Sequence, residues 1–147
     1  MLGGVSYAEG ATDAAGARVG RILGVDFRIK YQNPREAQYR SIDSRNEFFL
    51  VHSERTTGTV NVTGFFSSVD FRIDRTRLAG GRFDRSTSLA AGNPTTTSFL
   101  VYLTHQPSEF QTISLQTRLS GTGVTLPNLA IFLKWTVGIG SHAAHAF

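Results

Sequence analysis

Alternation of apolar and polar residues is the strongest pattern along the chain. Between Val25 and Tyr31 the apolar side chains occupy every second position, with Asp26, Arg28 and Lys30 between them. This period of two predicts a strand with one buried face. Further segments of this kind follow at residues 48–53, 59–66, 69–77, 98–104, 110–119 and 129–137.

Turn-forming residues separate these segments or lie near their ends. The Gly80–Gly81 pair, Gly92–Pro94 and Gly121–Gly123 predict turns because glycine and proline suit turn geometries. After Asn33, a cap and a first-turn proline fit a short helix as well as an ordered loop. Short strands without helical partners therefore predict an all-β fold, an antiparallel β-sandwich or small barrel of about seven strands.

The length of 147 residues suits one domain with two extended ends. Residues 1–17 are rich in glycine and alanine, so they bury too little surface to offset their ordering entropy. We predict an N-terminal arm at 1–17, a single β-domain at 18–137 and a C-terminal arm at 138–147, whose composition is similar.

The residues that carry chemistry form no recognisable constellation. The absence of cysteine excludes disulfides, thiolate metal sites and cysteine nucleophiles. His142 and His145 lie three residues apart, but no carboxylate nearby supports a metal site that also uses His52 or His105. No serine-nucleophile or phosphate-loop motif is present. We expect no enzymatic activity, no catalytic or cofactor-binding residues, no metal and no cofactor.

The charges are unevenly distributed. The net charge is +4, yet beyond Asn93 only Glu109, Arg118 and Lys134 are ionised. Since about a quarter of a typical soluble surface is charged, this stretch is expected to lie inside the subunit or beneath another copy. The longest apolar runs are far below the roughly 20 residues of a transmembrane helix, so we expect no membrane partner. These observations favour a self-assembling subunit.

Charged residues in and after the segment 69–77 are the main candidates for contacts between subunits. Asp70, Arg72 and Asp74 alternate along one predicted strand face, and an ion-pair ladder is favoured there over a metal or acid–base site because Arg72 separates the acids. The substitution Thr117→Asp is expected to stop assembly while leaving the circular dichroism spectrum intact. The predicted intersubunit residues are Asp70, Arg72, Asp74, Arg75, Arg77, Thr117 and Arg118.

A resemblance adds to this interpretation. The segment Gly58-Thr-Val-Asn-Val-Thr-Gly-Phe-Phe66, preceded by Gly24-Val-Asp-Phe-Arg-Ile29 and a long polar connection, resembles the strands and extended loop of tailed-phage tail-tube proteins. The resemblance implies a β-sandwich whose sheets join into stacked rings around a channel for DNA. By that analogy residues 33–47 would be the stacking loop and residues 1–17 the arm.

Other functions stay open at the level of sequence. A capsid decoration or cement protein of the phage head would also be small and β-rich and would carry extended terminal arms. Either virion protein would be assembled in the host cytoplasm. Its partners would be copies of itself and other virion proteins, and the basic excess leaves non-specific contact with packaged DNA open. A glycan-binding β-sandwich comes second, with Trp135 as the available tryptophan. A nucleic-acid module comes third, because the aspartates interleaved with the arginines would repel a phosphate backbone.

Overall fold

The computed structural model describes residues 1–32, 40–56, 58–123 and 127–138. These residues form eight strands and no helix. The strands are β1 (Leu2–Ala11), β2 (Val19–Gln32), β3 (Ser41–Arg55), β4 (Gly58–Arg72), β5 (Arg77–Thr87), β6 (Thr95–Ser108), β7 (Gln111–Thr122) and β8 (Asn128–Val137).

Each strand pairs with its neighbour in the chain, so the sheet is an antiparallel meander in the order β1 to β8. Within the described residues the sheet is a single open layer, and β1 and β8 are its two edges. The all-β, antiparallel prediction is confirmed. The described residues show neither a second sheet packed on the first, as a sandwich requires, nor contact between the edge strands.

The N-terminal segment corrects the predicted arm. Residues Leu2–Ala11 form β1, which pairs with β2 from Leu2 opposite Arg28 to Ala11 opposite Val19. Val5 and Tyr7 lie on one side of this strand with Ser6 between them. A ladder of backbone hydrogen bonds offsets the ordering entropy that side-chain burial alone does not. Of the predicted C-terminal arm, only Gly138 is described, and its N–H donates to the carbonyl of Phe110 at 2.8 Å.

Two further predictions fail in the middle of the chain. The Gly80–Gly81 pair lies inside β5, which the sequence pattern missed, and residues 59–66 and 69–72 belong to one strand, β4. The proposed stacking loop at 33–47 is only in part a connection, because Ser41 to Glu47 pair with β2 and β4. Residues 33–39, including the proposed short helix, lie outside the described residues.

The described sheet has almost no apolar core. Val62 is the buried apolar residue, at 6% exposure, and the buried polar residues are Asp43, Ser53 and Ser114. Large apolar side chains instead remain exposed on every strand, reaching 75% for Leu133. A layer of this kind needs something else to cover its apolar side chains.

Candidate functional site

The cross-strand register gives the sheet two chemically distinct faces. Successive side chains of a strand point to opposite faces of the sheet, and residues paired across two strands lie on the same face. Once one residue is assigned to a face, the register therefore assigns every other strand residue. The apolar face, defined by Val25, carries Val5, Phe27, Phe48, Phe65, Phe83, Phe99, Val101, Leu115, Leu119, Ile131 and Leu133. The polar face carries Asp26, Arg28, Lys30, Asp43, Arg45, Glu47, Asp70, Arg72, Arg82, Asp84, Arg118 and Lys134.

Ionisable side chains reach the apolar face only near strand ends. Within the described strands they are Glu9, Arg21, His52, Glu54, Arg77, Arg85 and His105, each within four residues of an end. The interior of the apolar face holds aliphatic and aromatic residues with a few hydroxyl and amide side chains such as Thr117 and Asn46. The apolar face is therefore a charge-free band bordered by charges.

Tyrosine and tryptophan lie at the borders of this band. Tyr7, Tyr31 and Trp135 are on the apolar face, each within four residues of a strand end, and Trp135 is 68% exposed. The hydroxyl of Tyr7 donates to Glu9, which also pairs with Arg21 at 3.2 Å. Amphipathic rings with a polar tip suit a boundary between apolar and aqueous surroundings.

The polar face carries charges along the length of its strands, including the central Asp26, Glu47 and Arg82, and pairs several of them. The Arg28 guanidinium binds both carboxylate oxygens of Asp43, with Nε 2.7 Å from Oδ1, and Arg45 approaches the same carboxylate at 3.3 Å. Asp70 lies opposite Asp43 in the register, so the two arginines are balanced by two carboxylates. This face is thus suited to water and ions rather than to an apolar covering.

Glycines on the polar face make room for aromatic side chains. Gly80 lies between Asp70 and Tyr102 in the register, and the Tyr102 ring crosses it to donate its hydroxyl proton to Asp70. Phe49 similarly lies between Gly24 and Gly64. A Cβ on Gly80 would overlap the Tyr102 ring, so glycine is required by this close approach.

The predicted intersubunit residues are dispersed over the sheet. Asp70 and Arg72 are on the polar face of β4, whereas Asp74 lies in the turn before β5. Asp70 accepts a hydrogen bond from the hydroxyl of Tyr102. The predicted ion-pair ladder of these three residues is therefore not formed. Arg72 donates to the carbonyl of Arg75 at 3.3 Å, and Arg77 begins β5. Thr117 is on the apolar face and Arg118 on the polar face. The predicted strand 69–77 included Asp74, whereas β4 ends at Arg72.

Asp74 organises the turn at residues 73–76. Its Oδ1 accepts backbone N–H groups of Thr76 at 2.9 Å and Arg77 at 2.8 Å, and its Oδ2 pairs with Arg77 Nε at 2.6 Å. The N–H of Thr76, followed by the Arg77 guanidinium, lowers the pKa of Asp74 to about 2 from an ordinary value of 3.8. The carboxylate therefore stabilises this turn in its ionised form.

The depressed pKa of Asp74 predicts a pH-dependent contribution to stability. Because the folded state holds the carboxylate ionised, its contribution is complete above about pH 4 and is lost as pH falls through about 2. The difference in unfolding free energy between the wild type and Asp74→Asn, from denaturant titrations, should shrink over that interval. A difference that widens toward pH 2 would contradict the assignment.

The remaining candidates for chemistry form no catalytic group. His52 Nδ1 lies 2.8 Å from Asn61 Oδ1 on the apolar face, and within the described ranges no cluster of three or more metal-ligating side chains occurs. His142 and His145 lie outside those ranges. The described part of the chain contains no helix long and apolar enough to cross a membrane.

Comparison of the chain with protein-family models, curated proteins and solved structures finds no match. The two faces are therefore the main guide to function. Sequence reasoning found the alternation in individual strands but missed that their charge-poor sides lie on one face of the sheet. The signal was present in β2, where Asp26, Arg28 and Lys30 oppose Val25 and Phe27.

Proposed function

We propose that this chain forms part of a membrane-embedded antiparallel sheet, with its apolar face against lipid hydrocarbon and its polar face toward water. The observation that carries this proposal is the placement of charge. Among the described strands, ionisable side chains more than four residues from a strand end occur on the polar face, at Asp26, Glu47 and Arg82, whereas the apolar face has none there. Alternating strands with one lipid-facing side and one wet side have this distribution.

The length of the charge-free band on β2 and β8 matches that of a membrane-spanning strand, whereas on β5 Arg77 and Arg85 limit it to residues 78–84. On β2 the band runs from Leu23 to Tyr31, and on β8 from Leu129 to Val137. Nine residues extend about 30 Å, and a spanning strand tilted by about 45° needs about 9–11 residues. Tyr7, Tyr31 and Trp135 near the borders are placed where aromatic residues meet lipid headgroups.

The edges of the sheet complete the argument. A strand in hydrocarbon must satisfy all its backbone hydrogen-bonding groups within protein, so β1 and β8 need partners. With eight strands in a meander, β1 and β8 run in opposite directions and can each extend the sheet by antiparallel pairing. Two open edges and one uncovered face would account for the predicted incompleteness of the subunit.

The sole tryptophan allows a direct test of which face meets lipid. In a Trp135→Phe background, Leu133→Trp places the fluorophore on the apolar face and Phe132→Trp places it on the polar face of the same strand. After refolding of the full chain into vesicles of brominated phosphatidylcholine, we expect strong quenching of Leu133→Trp and weak quenching of Phe132→Trp. Equal quenching of the two would overturn the proposal.

A self-assembling virion subunit is the second candidate, favoured by the same exposed apolar face and open edges. Its tail-tube and decoration-protein forms stay predictions. In this case copies of the chain would cover the apolar face, and detergent-free protein would form tubes, rings or shell-bound particles under negative-stain electron microscopy. Thr117→Asp would then abolish those particles, whereas brominated lipid would leave Leu133→Trp unquenched.

A further inference from the structure

Two arginines on the polar face flank a single residue and are held in the same way. Arg82 on β5 and Arg118 on β7 both pair in register with Leu100 on β6. Their Cα atoms are thus two strand spacings, about 10 Å, apart on one face. The Arg82 guanidinium lies 4.2 Å from the ring centre of Phe66, and that of Arg118 lies 5.3 Å from the ring centre of Phe132.

The two arginines differ in their charge partners. Arg82 is neutralised by Asp84, with a closest approach of 2.5 Å. Arg118 is exposed, and no carboxylate among the described residues pairs with it. The stacked ring limits the freedom of the Arg118 guanidinium while leaving its N–H donors unused. One positive charge is therefore uncompensated at this place.

Hydroxyl groups complete the surroundings of these arginines. A shallow cavity of about 420 Å³ lies between them, lined also by Ser86, Thr96, Ser98 and the carboxylate-bearing Asp84, whose charge is compensated by Arg82. Guanidinium forks and hydroxyl donors are the groups that bind phosphate oxygens, and a planar fork binds two of them at once. Leu100 forms the apolar floor of the cavity.

We propose that this cavity binds a phosphate-bearing anion, with Arg118 as the principal donor and Arg82 and Ser98 as supporting donors. The inference deepens the proposed function, since it places a selective anion site on the water-facing side of the sheet. A phosphate ion or a lipid headgroup would supply the same chemistry.

Isothermal titration of inorganic phosphate into the full chain, refolded in a neutral detergent at low salt, tests the site. We expect Arg118→Gln to weaken binding at least ~10-fold, as loss of charge-assisted hydrogen bonds implies. Lys30→Gln is the matched control, because it removes one positive charge from the polar face of β2, away from the cavity. It should change the affinity less than ~2-fold, since distant exposed charges are screened.

A further variant and a lipid competition test the role of the guanidinium and the source of the phosphate group. Arg118→Lys keeps the charge but loses the fork, so it should bind with intermediate affinity, and it serves as the test variant if Arg118→Gln fails to fold. Adding short-chain phosphatidylglycerol to the micelles should displace phosphate if a headgroup is the preferred source. Absence of phosphate binding by the wild type, or equal weakening by Arg118→Gln and Lys30→Gln, would overturn the site. Tryptophan quenching by brominated lipid tests the lipid-facing face and does not depend on phosphate binding. Failure of the anion site can therefore be distinguished from failure of the proposed function.

Discussion

If the apolar face contacts lipid as proposed, Thr117→Lys is expected to destabilise the sheet by about 2–4 kcal/mol, the cost of a lysine at the bilayer midplane. Thr117 is near the middle of β7 on the apolar face, opposite Val101 on β6 and Ile131 on β8. No strand end is close enough for the ammonium group to reach water easily. Denaturant titration of protein folded in vesicles measures the change.

Gln116→Lys is the matched control for this charge. Gln116 precedes Thr117 in β7 and therefore lies on the polar face, opposite Tyr102. Gln116 is half-buried and donates to the Ser114 hydroxyl at 3.3 Å, so the same charge at nearly the same depth should cost about 1 kcal/mol, the usual net contribution of one hydrogen bond. If both lysines cost the same, the two faces do not differ in their contact with lipid.

Gly80→Ala is expected to cost about 1–3 kcal/mol, the usual penalty for an additional carbon in a filled space. The new Cβ would lie 2.7 Å from Asp70 Oδ1 and would overlap the Tyr102 ring. Tyr102 must then move away from β5, which also breaks its hydrogen bond to Asp70. Thermal or denaturant unfolding measures the loss.

Gly81→Ala separates this close contact from the general effect of removing a glycine. Gly81 follows Gly80 in β5 but faces the apolar side, where an added Cβ meets the carbonyl oxygen of Leu100 at an ordinary 3.6 Å. Alanine has a lower entropic cost than glycine in a strand, so Gly81→Ala should be neutral or stabilising. A destabilisation equal to that of Gly80→Ala would show that the aromatic crossing does not require glycine 80.

The same glycine pair shows why the sequence pattern missed β5. Adjacent glycines usually indicate a turn, and the alternation in β5 is interrupted where they stand. Only the neighbouring strands reveal why glycine is needed, because the side chain that occupies the space over Gly80 comes from Tyr102 on β6. Likewise β1 has too few apolar side chains to be recognised alone, and its stability comes from pairing with β2.

The sequence by itself determined the strand character of the chain, since a period of two between Val25 and Tyr31, and again in the later segments, is a local property of side-chain direction. It also determined that the final third is poor in charge, since beyond Asn93 only Glu109, Arg118 and Lys134 are ionised. Only the tertiary structure decided that the strands form one layer and that Phe48, Val101 and Leu133 belong to the same face. Register joins residues distant in the chain, and a shift of one position would send each strand's side chains to the opposite face.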